Sequence, residues 1–387
     1  MKTTKNGLEV ILIDPWGTAN TSEYLNGLIY GLAPITHLKV FTNHYFKLKT
    51  PSRATIHYVF FRFTEKIPHN IFRKALRGIE YIIGYHKIIK FLRKNGSVDI
   101  IHINWLLNYK LDILFLRELK KYTKKIVYTA HNVLPHINGK KSLAQLKKVY
   151  SLCDQIILHG ENIRNEFEKY FPTESHKIYI QKHGCNLHPD ISYDEKEIED
   201  GLKCKVNLFE KRYIFFGRIF WNKGLDRLVS AWHDDWNDTL LIIAGKIDDY
   251  YPELNQYREQ IANATNILLL DEYVEDNTLN YLIDKSDIIV LPYRHASMSG
   301  VVFTAADFKK TILCTDVGAL PEYLCNNDDS FIVDNTDAAI RIKLNYIHDY
   351  ISKEQLLKMG VNLSINITSK YSWNIVADKL LAECYLK

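Results

Sequence analysis

The chain has 387 residues, of which 47% are hydrophobic and 25% are charged, and its formal net charge is +5. This composition is typical of a globular protein with two ordinary domains and excludes a disordered chain. The six cysteines form no C-x-x-C pair, which indicates reduced cytosolic thiols rather than a disulfide framework or a zinc site. We expect neither a signal peptide nor a spanning helix, because the apolar runs are short.

The positive charge is concentrated in one part of the chain. Between His44 and Lys94, twelve Lys and Arg residues stand against Glu65 and Glu80, a net charge of +10, and the remainder is about −5. Within this stretch, residues 67–94 place apolar residues at near-helical spacing and predict one helix or a helix pair. We expect this basic segment to lie on an anionic membrane leaflet, near a lipid-linked acceptor. The alternative is a core helix with a solvated basic face.

The first half of the chain alternates short apolar strands with helices. Residues 8–14 predict a buried strand that stops at Pro15-Trp16-Gly17-Thr18-Ala19-Asn20, and a helix follows to about Gly31. Strand, small-residue loop and helix are the opening of a doubly wound α/β domain. No G-x-G-x-x-G occurs there, so an NAD-binding fingerprint is absent. Further strands are predicted at 37–42, 55–61, 99–105, 126–132, 155–160 and 177–183, and helices at 142–151 and 161–170.

Polar and aromatic residues follow several of these strands. Trp16, Trp105, His131 and His183 stand at strand carboxyl ends, where the ligand crevice of an open α/β sheet is found. A single histidine in such a position is more often structural than catalytic. Several polar or aromatic ends in one sheet together favour a binding site.

A second domain is predicted after a polar, aperiodic linker at residues 191–211, which we expect to contain a short helix. The strand–helix alternation then resumes with short connections, as parallel βαβ units require. The predicted strands are 213–217, 239–244, 266–270, 287–291, 312–316 and 331–333, and the predicted helices are 225–234, 252–263, 276–285, 300–310 and 337–350.

Two stretches of this second domain predict anion sites. In Tyr213-Ile-Phe-Phe-Gly217-Arg218-Ile-Phe-Trp-Asn-Lys223-Gly224, a buried strand ends at a glycine and two cations precede a new helix. Backbone N–H groups, the helix dipole and both charges favour phosphate there, although an ordinary strand–turn–helix remains the alternative. Ser299 and Gly300 lie at the start of the helix predicted at 300–310 and form the second site. We expect strands 213–217 and 287–291 to be neighbours that hold a diphosphate between these two sites.

The second half resembles the retaining GT-B glycosyltransferases of family 4. Residues 216–225 are similar to the family's G-R-x-x-x-x-K-G-[LV] motif, and Ser297-Met-Ser-Gly300 and Cys314-Thr-Asp316-Val-Gly318-Ala-Leu-Pro321-Glu322 to its donor-site segments. Residues 99–105 and 129–136 are similar to a bacterial branch that builds surface polysaccharides. The resemblance implies a GT-B fold with two Rossmann-like domains, at 1–190 and 212–370, facing a central cleft. It also implies that 371–387 form a helix crossing back to the first domain.

The resemblance also implies roles for particular residues. Arg218 and Lys223 would clamp the donor diphosphate, whose developing charge they stabilise, and His131 would touch the transferred sugar. Domain closure would bring His131 to the sugar. The other donor-binding residues would be Gly217, Gly245, Tyr273, Tyr293, Ser297, Ser299, Gly300, Val301 and Thr304. The acceptor-binding residues would be Trp16, Gly17, Asn20, Trp105 and Asn132.

The implied activity is retaining transfer of a hexose-type sugar from a UDP- or GDP-type nucleotide sugar. The acceptor would be a lipid-linked sugar or an oligosaccharide in capsule, exopolysaccharide or O-antigen synthesis. The enzyme would work in the cytoplasm, peripherally bound to the inner face of the cell membrane. We expect no obligatory metal or other cofactor, and no nucleic-acid partner, because no recognised module accompanies the basic stretch.

The sequence departs from the family in one feature that keeps alternatives open. The family's E-x7-E carboxylates are missing, since the two possible alignments place Ala296 and Thr304, or Ser297 and Ala305, at those positions. One alternative is a catalytically silent GT-B subunit that binds nucleotide sugar or glycan and supports a partner enzyme. Another is a nucleotide-sugar 2-epimerase on the same fold, which would require acid/base carboxylates in the cleft.

Overall fold

The computed structural model describes residues 7–17, 21–68, 71–134, 142–185, 191–296 and 300–387, except the side chains of Thr21 and Ile71. The chain divides into two compact units. The first combines Met1–Leu187 with Tyr371–Lys387, and the second is His188–Lys370. Each unit is built on one parallel sheet with helices, so the predicted pair of Rossmann-like α/β domains is confirmed.

The first unit contains a seven-stranded parallel sheet. Its strands are β1 (Glu9–Asp14), β2 (His37–Asn43), β3 (Thr55–Phe60), β4 (Val98–Ile103), β5 (Thr123–Thr129), β6 (Gln155–Leu158) and β7 (Ile178–Ile180). They are ordered β3-β2-β1-β4-β5-β6-β7, and Val10 of β1 lies opposite Ile100 of β4. The strand order therefore reverses between β1 and β4, and the carboxyl ends beside this point form the expected ligand crevice.

Five helices of the described chain cover this sheet before the second unit begins. They are α1 (Thr21–Leu32), α2 (Ile71–Asn95), α3 (Tyr109–Leu119), α4 (Leu143–Leu152) and α5 (Glu161–Tyr170). Helix α3 was not predicted, although Asn108 caps it by accepting a hydrogen bond from the backbone N–H of Leu111. The buried Ile113, Leu116 and Leu119 recur at helical spacing and pack in the sheet's core.

Residues 71–95 form a single helix, α2, rather than a helix pair. Its buried face carries Tyr81 and Tyr85, and the Tyr85 ring stacks on Phe115 with centroids 4.3 Å apart. Gly84 lets the helix approach β3, because a Cβ there would come within 2.3 Å of the Phe60 ring. None of the helices in the described part of the chain combines the length and apolar character needed to span a bilayer.

The second unit contains a six-stranded parallel sheet. Its strands are β8 (Lys211–Phe216), β9 (Thr239–Ala244), β10 (Ile267–Leu270), β11 (Ile288–Leu291), β12 (Thr311–Thr315) and β13 (Ser330–Val333). The order is β10-β9-β8-β11-β12-β13, and Tyr213 of β8 lies opposite Ile288 of β11. The predicted neighbourhood of strands 213–217 and 287–291 is therefore confirmed.

Seven helices lie in the described part of the second unit, and the second to fifth of them connect successive strands from β8 to β12, as expected for parallel βαβ units. They are α6 (Asp200–Asn207), α7 (Leu225–Ala231), α8 (Arg258–Asn263), α9 (Asp276–Lys285), α10 (Val301–Asp307), α11 (Asp337–Tyr350) and α12 (Lys353–Tyr371). Helix α12 was not predicted. The stretch 191–211, predicted as a linker, packs on this unit. Tyr193 Oη donates to Asp284 Oδ2 at 2.7 Å, and Ile198 and Val206 are buried. Most of the polar residues of this stretch face solvent, while its buried apolar residues pack on the second unit.

The last residues of the chain return to the first unit. Helix α13 (Trp373–Leu380) packs against α1, where Gly27 and Gly31 leave room for the Trp373 ring and backbone. A π-helical turn follows at Leu381–Tyr385, and Lys125 Nζ donates to the carbonyl oxygens of Cys384 and Tyr385. The predicted crossover of the C-terminal helix is confirmed.

Candidate functional site

In the second unit, the backbone just after β8 lies in close contact with the backbone just after β9, at Gly217 and Gly245. We call this close approach the backbone crossing. Gly217 has a φ of 96° and Gly245, after β9, has a φ of 149°, both in the region that favours glycine. A Cβ on Gly245 would come within 2.0 Å of the Gly217 carbonyl oxygen. The two strand ends therefore approach without side chains between them, which leaves the space above the sheet edge open.

A cavity of about 430 Å³ lies at this crossing. Gly217, Arg218, Gly245 and Tyr273, four of the predicted donor-binding residues, line it. Its other lining residues, which sequence reasoning missed, are Ala244, Lys246, Glu272, Val274, Asp276 and Leu279. The volume and the mixed apolar and polar lining suit a group of nucleoside size.

The two predicted cations differ in how they are held. The Arg218 side chain is exposed, and its Cζ lies 4.7 Å from the centre of the Phe220 ring. Lys223 is half-buried, and its Nζ donates to Tyr293 Oη at 3.0 Å. The buried Tyr293 ring, with its centroid 4.7 Å from Nζ, therefore fixes the position of this charge.

A partly buried ion pair and a backbone hydrogen bond tie the segment that carries both cations, together with the start of α7, to the loop after β11. Arg294 donates two hydrogen bonds to the Asp226 carboxylate, at 2.8 and 2.6 Å, and Asn222 accepts one from the Arg294 backbone N–H at 2.8 Å. Burial alone would raise the pKa of Asp226, but hydrogen bonds from Arg294 and Tyr251 outweigh it and hold the pKa below its ordinary value. The geometry of the two loops is thus set by charge-assisted hydrogen bonds.

The remaining predicted donor residues lie at the start of α10. Gly300 is exposed and Val301 is half-buried, while Thr304 Oγ1 donates to the Gly300 carbonyl oxygen at 3.5 Å. Ser297 and Ser299 lie outside the described residues. Gly318, with a φ of 58°, packs against the loop just before them, since a Cβ there would come within 1.6 Å of the Ala296 carbonyl oxygen.

In the first unit, a chain of hydrogen bonds runs along the carboxyl ends of the strands. Asn104 donates from Nδ2 to Asp14 Oδ2 at 2.6 Å, and its Oδ1 lies 3.0 Å from His131 Nε2. His131 Nδ1 lies 3.1 Å from His159 Nε2, and His159 Nδ1 lies 3.0 Å from the Gln181 carbonyl oxygen. Both ring nitrogens of His131 are therefore engaged within the unit.

Burial keeps the histidines of this edge neutral. It lowers the pKa of His131 well below its ordinary value, with smaller contributions from His159, His183 and His102. It lowers the pKa of His102 to about 3 and that of His183 to about 4. These rings consequently act as hydrogen-bonding and stacking groups, not as cations.

The predicted acceptor residues that the structure describes lie beside this series of hydrogen bonds. The Trp105 ring stacks on His131, with centroids 4.2 Å apart and planes at 9°, and the exposed Trp16 ring lies 6.3 Å from Trp105. Gly17 is buried. The backbone N–H groups of Gly17 and Trp16 both donate to Asp14 Oδ1, so the Asp14 carboxylate holds this loop in a turn. Asn132 is half-buried, and Asn20 lies outside the described residues.

Sequence reasoning missed three members of this chain, namely Asp14, Asn104 and His159. Each is a polar residue at the end of a buried apolar strand or one residue beyond it, which is the same signal that pointed to His131. The sequence could not show that they contact one another, because that depends on the strand order.

Two family models match the chain. The model described as "Glycosyltransferase Family 4" matches residues 37–188, and the model described as "Glycosyl transferases group 1" matches residues 210–346. Together the two ranges span about three quarters of the chain.

Relatives and solved structures agree with these matches. An uncharacterised glycosyltransferase of Methanocaldococcus jannaschii is 24% identical over 308 residues, covering 79% of this chain and 80% of the relative. An uncharacterised 41.2 kDa protein in the cps region of Klebsiella pneumoniae is 26% identical over 280 residues, covering 69% and 74%. The crystal structure of Anabaena HepE with UDP is 12% identical, with a TM-score of 0.66 over 97% of this chain and 98% of that one.

The fold and these matches define the protein's class as a glycosyltransferase of the GT-B fold. Within that class, the chain belongs to the group formed by a Glycosyltransferase Family 4 domain and a Glycosyl transferases group 1 domain. The resemblance seen in the sequence motifs is confirmed at this level.

Proposed function

We propose that the protein is a retaining glycosyltransferase that takes a hexose-type sugar from a UDP- or GDP-type nucleotide sugar. The observation that carries this proposal is the cavity at the ends of β8 and β9, with the exposed Arg218 on its wall. Lys223, held by Tyr293, supplies a second fixed cation on the loop that follows β8. With the nucleoside bound in the cavity, the diphosphate would lie next to these two cations. They would stabilise the negative charge that develops on the leaving group.

The donor base and sugar are proposed to contact Tyr273, Gly245 and the start of α10, where Gly300, Val301 and Thr304 lie. Ser297 and Ser299 are proposed to complete this contact. HepE, one of the structural neighbours, was crystallised with UDP, which supports a nucleoside diphosphate as the ligand class. The chemistry needs no obligatory metal, because the two side-chain cations balance the charge of the diphosphate.

Retention would follow from attack on the face that the leaving group occupies, with a diphosphate oxygen taking the proton of the acceptor hydroxyl. His131 is proposed to act at the transferred sugar. Since both of its ring nitrogens are engaged, contact through a ring nitrogen requires one hydrogen bond to exchange. The acceptor, a lipid-linked sugar or an oligosaccharide, is proposed to lie near Trp16, Gly17, Asn20, Trp105 and Asn132. The relative from a cps region supports a role in surface-polysaccharide synthesis.

The test is a thermal-shift screen with UDP, GDP, ADP and their common sugars. A ligand that binds the folded state alone raises the melting temperature by mass action. We expect a rise with one nucleotide series and hydrolysis or transfer of the matching sugar. Binding without turnover would instead support a silent subunit, a role that the missing carboxylates, at Ala296 and Thr304 or at Ser297 and Ala305, would explain. A lack of any rise would overturn the donor site.

We further propose that α2 attaches the first unit to an anionic membrane surface at the cytoplasmic face. Four large apolar side chains of this region are strongly exposed, namely Phe63, Phe72, Ile79 and Ile83. Lys74, Lys87 and Lys90 are exposed on the same helix. Arg73 and Arg77 do not contribute, because both pair with Glu65. Exposed apolar residues flanked by lysines are typical of a helix lying in a membrane interface.

Sedimentation with vesicles containing phosphatidylserine tests this attachment. Each lysine near the surface contributes about 1 kcal/mol, so replacing Lys74, Lys87 and Lys90 by Gln is expected to weaken binding roughly 100-fold at low salt. The matched control replaces Lys147, Lys148 and Lys169, exposed lysines on other helices of the same unit. Equal loss in both variants, or no sedimentation of the unaltered protein, would overturn the attachment.

A further inference from the structure

The hydrogen-bonded chain from Asp14 to Gln181 contains four links in series. They join Asp14 to Asn104, Asn104 to His131, His131 to His159, and His159 to the Gln181 carbonyl, at 2.6, 3.0, 3.1 and 3.0 Å. Each link requires one hydrogen between its two heavy atoms. The hydrogens that the chain must hold can therefore be counted.

Two members of the chain restrict this count. The Gln181 carbonyl only accepts, so His159 carries a hydrogen on Nδ1. Asn104 donates to one neighbour and accepts from the other, and a half-turn of its amide exchanges these roles. Two links then remain to be filled by hydrogens on Asp14, on His131 or on Nε2 of His159.

Two arrangements fill every link. In the first, Asp14 is ionised, Asn104 donates to it, and His131 and His159 share one imidazolium. In the second, the Asn104 amide is turned by half a turn from the orientation given above. The protonated Asp14 then donates to the amide oxygen, the amide donates to His131 Nε2, and His131 Nδ1–H donates to His159. Both rings are neutral in the second arrangement. Each arrangement contains one proton more than an ionised Asp14 beside two neutral imidazoles.

Burial favours the arrangement without charges. Asp14 and Asn104 have no exposed surface, and His159 is 5% exposed. Burial raises the pKa of Asp14 to about 6 and lowers the pKa of His159. Among the described residues, the other titratable groups that face the network are the rings of His102, His183 and Tyr24 and, beside Asp14, the buried Tyr85 of α2. None of these four supplies a negative charge that would hold an imidazolium.

We propose that Asp14, Asn104, His131 and His159 form a relay in which the protonation state of Asp14 sets the tautomer of His131. With Asp14 protonated, His131 carries its hydrogen on Nδ1. When Asp14 releases its proton to solvent, Asn104 turns its NH₂ group to the carboxylate. The His131 hydrogen then moves from Nδ1 to Nε2 by exchange with solvent, where the amide oxygen accepts it.

The ionised relay has one link fewer. His131 Nδ1 and His159 Nε2 then face each other as two lone pairs, so His131 loses one of its two anchors. Asp14, Asn104 and His159 are accordingly positioning residues for His131. The effect on sugar transfer rests on the proposed function, whereas the tautomer of His131 does not.

Histidine side-chain NMR tests the relay directly. In protein labelled with ¹⁵N-histidine, the two ring nitrogens of His131, assigned with a His131→Gln variant, distinguish the tautomers. We expect the Nδ1–H form at pH 5 and the Nε2–H form at pH 8, with a midpoint near that of Asp14. An imidazolium on either His131 or His159 between pH 5 and pH 8 would overturn the neutral arrangement.

The variant Asp14→Asn resembles the protonated carboxyl, because its amide oxygen can accept from Trp16 and Gly17 while its NH₂ donates to Asn104. We expect it to hold His131 in the Nδ1–H form at every pH. Asp112→Asn is the matched control, since Asp112 is a fully buried carboxyl of the same unit that bonds to Tyr81 and Asn108 instead. A His131 tautomer that still switches with pH in the Asp14 variant would overturn the relay.

A second variant keeps the test decisive if Asp14→Asn fails to fold. Asn104→Ala removes the amide that joins the carboxyl to His131, and it should leave His131 in the Nδ1–H form from pH 5 to pH 8. A retained switch would contradict the relay. The rate of sugar transfer is measured separately: if the NMR switch is present but no transfer occurs, the proposed function fails while the relay stands.

Discussion

The residues at the carboxyl ends of the strands differ between the two sheets. In the first unit, Asp14, Asn104, His131 and His159 are joined to one another, and three of them are almost fully buried. In the second unit, glycines occupy the strand ends, the space above them is open, and Arg218 is exposed. The first edge is a closed network, and the second is an open cavity with an exposed cation on its wall.

The difference shows how one sheet architecture serves two purposes. A closed network holds its members in fixed geometry, but its burial removes charge from the histidines. The proposed diphosphate ligand would need full positive charge, and the two cations proposed to meet it, the exposed Arg218 and the half-buried Lys223, lie on the loop after Gly217. The first edge therefore provides side chains in a fixed orientation, and the second edge provides positively charged side chains.

The strongest way to break the comparison is to remove the charges of the open edge. Arg218→Ala and Lys223→Ala are each expected to reduce the rate of sugar transfer about 100-fold or more, since each removes a group that is proposed to stabilise the leaving diphosphate. Steady-state kinetics with the donor identified by thermal shift measure this. The exposed Arg258→Ala, on α8, should keep the full rate. Unchanged turnover in the Arg218 and Lys223 variants would show that the diphosphate is held elsewhere.

An effect of comparable size should follow from filling the backbone crossing of the open edge. Gly245→Ala places a Cβ within 2.0 Å of the Gly217 carbonyl oxygen at a φ of 149°, so we expect a loss of roughly 3 kcal/mol in the free energy of unfolding. Denaturant titration measures it. Gly201→Ala, on α6 with open space around it, should be neutral or stabilising by about 0.5 kcal/mol. Similar stability of the two variants would show that the crossing is not tight.

The closed edge should reveal its buried carboxyl in the pH dependence of stability. The pKa of Asp14 is raised from 3.8 to about 6, so the folded state holds this proton more tightly than the unfolded state. Stability from this group is present below about pH 4 and is lost as the pH rises to 6, up to roughly 3 kcal/mol. Asp14→Asn should remove that loss, so that the variant exceeds the parent protein at pH 8 but not at pH 4.

The partly exposed Asp99 provides a control of opposite sign for this measurement. A hydrogen bond from Lys124 lowers the pKa of Asp99, so its stabilisation is present at neutral pH and is lost as the pH falls. Asp99→Asn should therefore be less stable than the parent protein at pH 8. If both variants shift stability in the same direction, Asp14 is not a buried acid with a raised pKa.

The smallest expected effect comes from loosening one cation without removing it. Tyr293→Phe deletes the hydroxyl that accepts from Lys223 Nζ and keeps the ring beneath it. One hydrogen bond contributes about 1 kcal/mol, so donor affinity should fall about fivefold. Isothermal titration measures this, with the exposed Tyr350→Phe on α11 as control. A larger loss than for Lys223→Ala would assign Tyr293 a direct contact with the donor.

The sequence predicted most strands and the helices whose apolar spacing was regular, but it missed α3 and α12. The motif around Gly217 and Arg218 was predicted correctly as a strand end that opens into a loop, because glycine and apolar runs are local signals. The stretch 191–211 was interpreted as a linker from its polarity, whereas the structure packs its described residues on the second unit. A short segment that buries only a few of its side chains is as polar in composition as a linker, so composition alone does not distinguish the two.

The sequence by itself determined the doubly wound architecture, the glycosyltransferase family and the presence of cations after β8, since each depends on residues that are close along the chain. Only the tertiary structure decided which distant residues meet. Asp14 and Asn104 are 90 residues apart, yet β1 and β4 are neighbours in the sheet. That pairing joins Asp14 to the histidines and buries them together, and burial decides which of these groups carry charge.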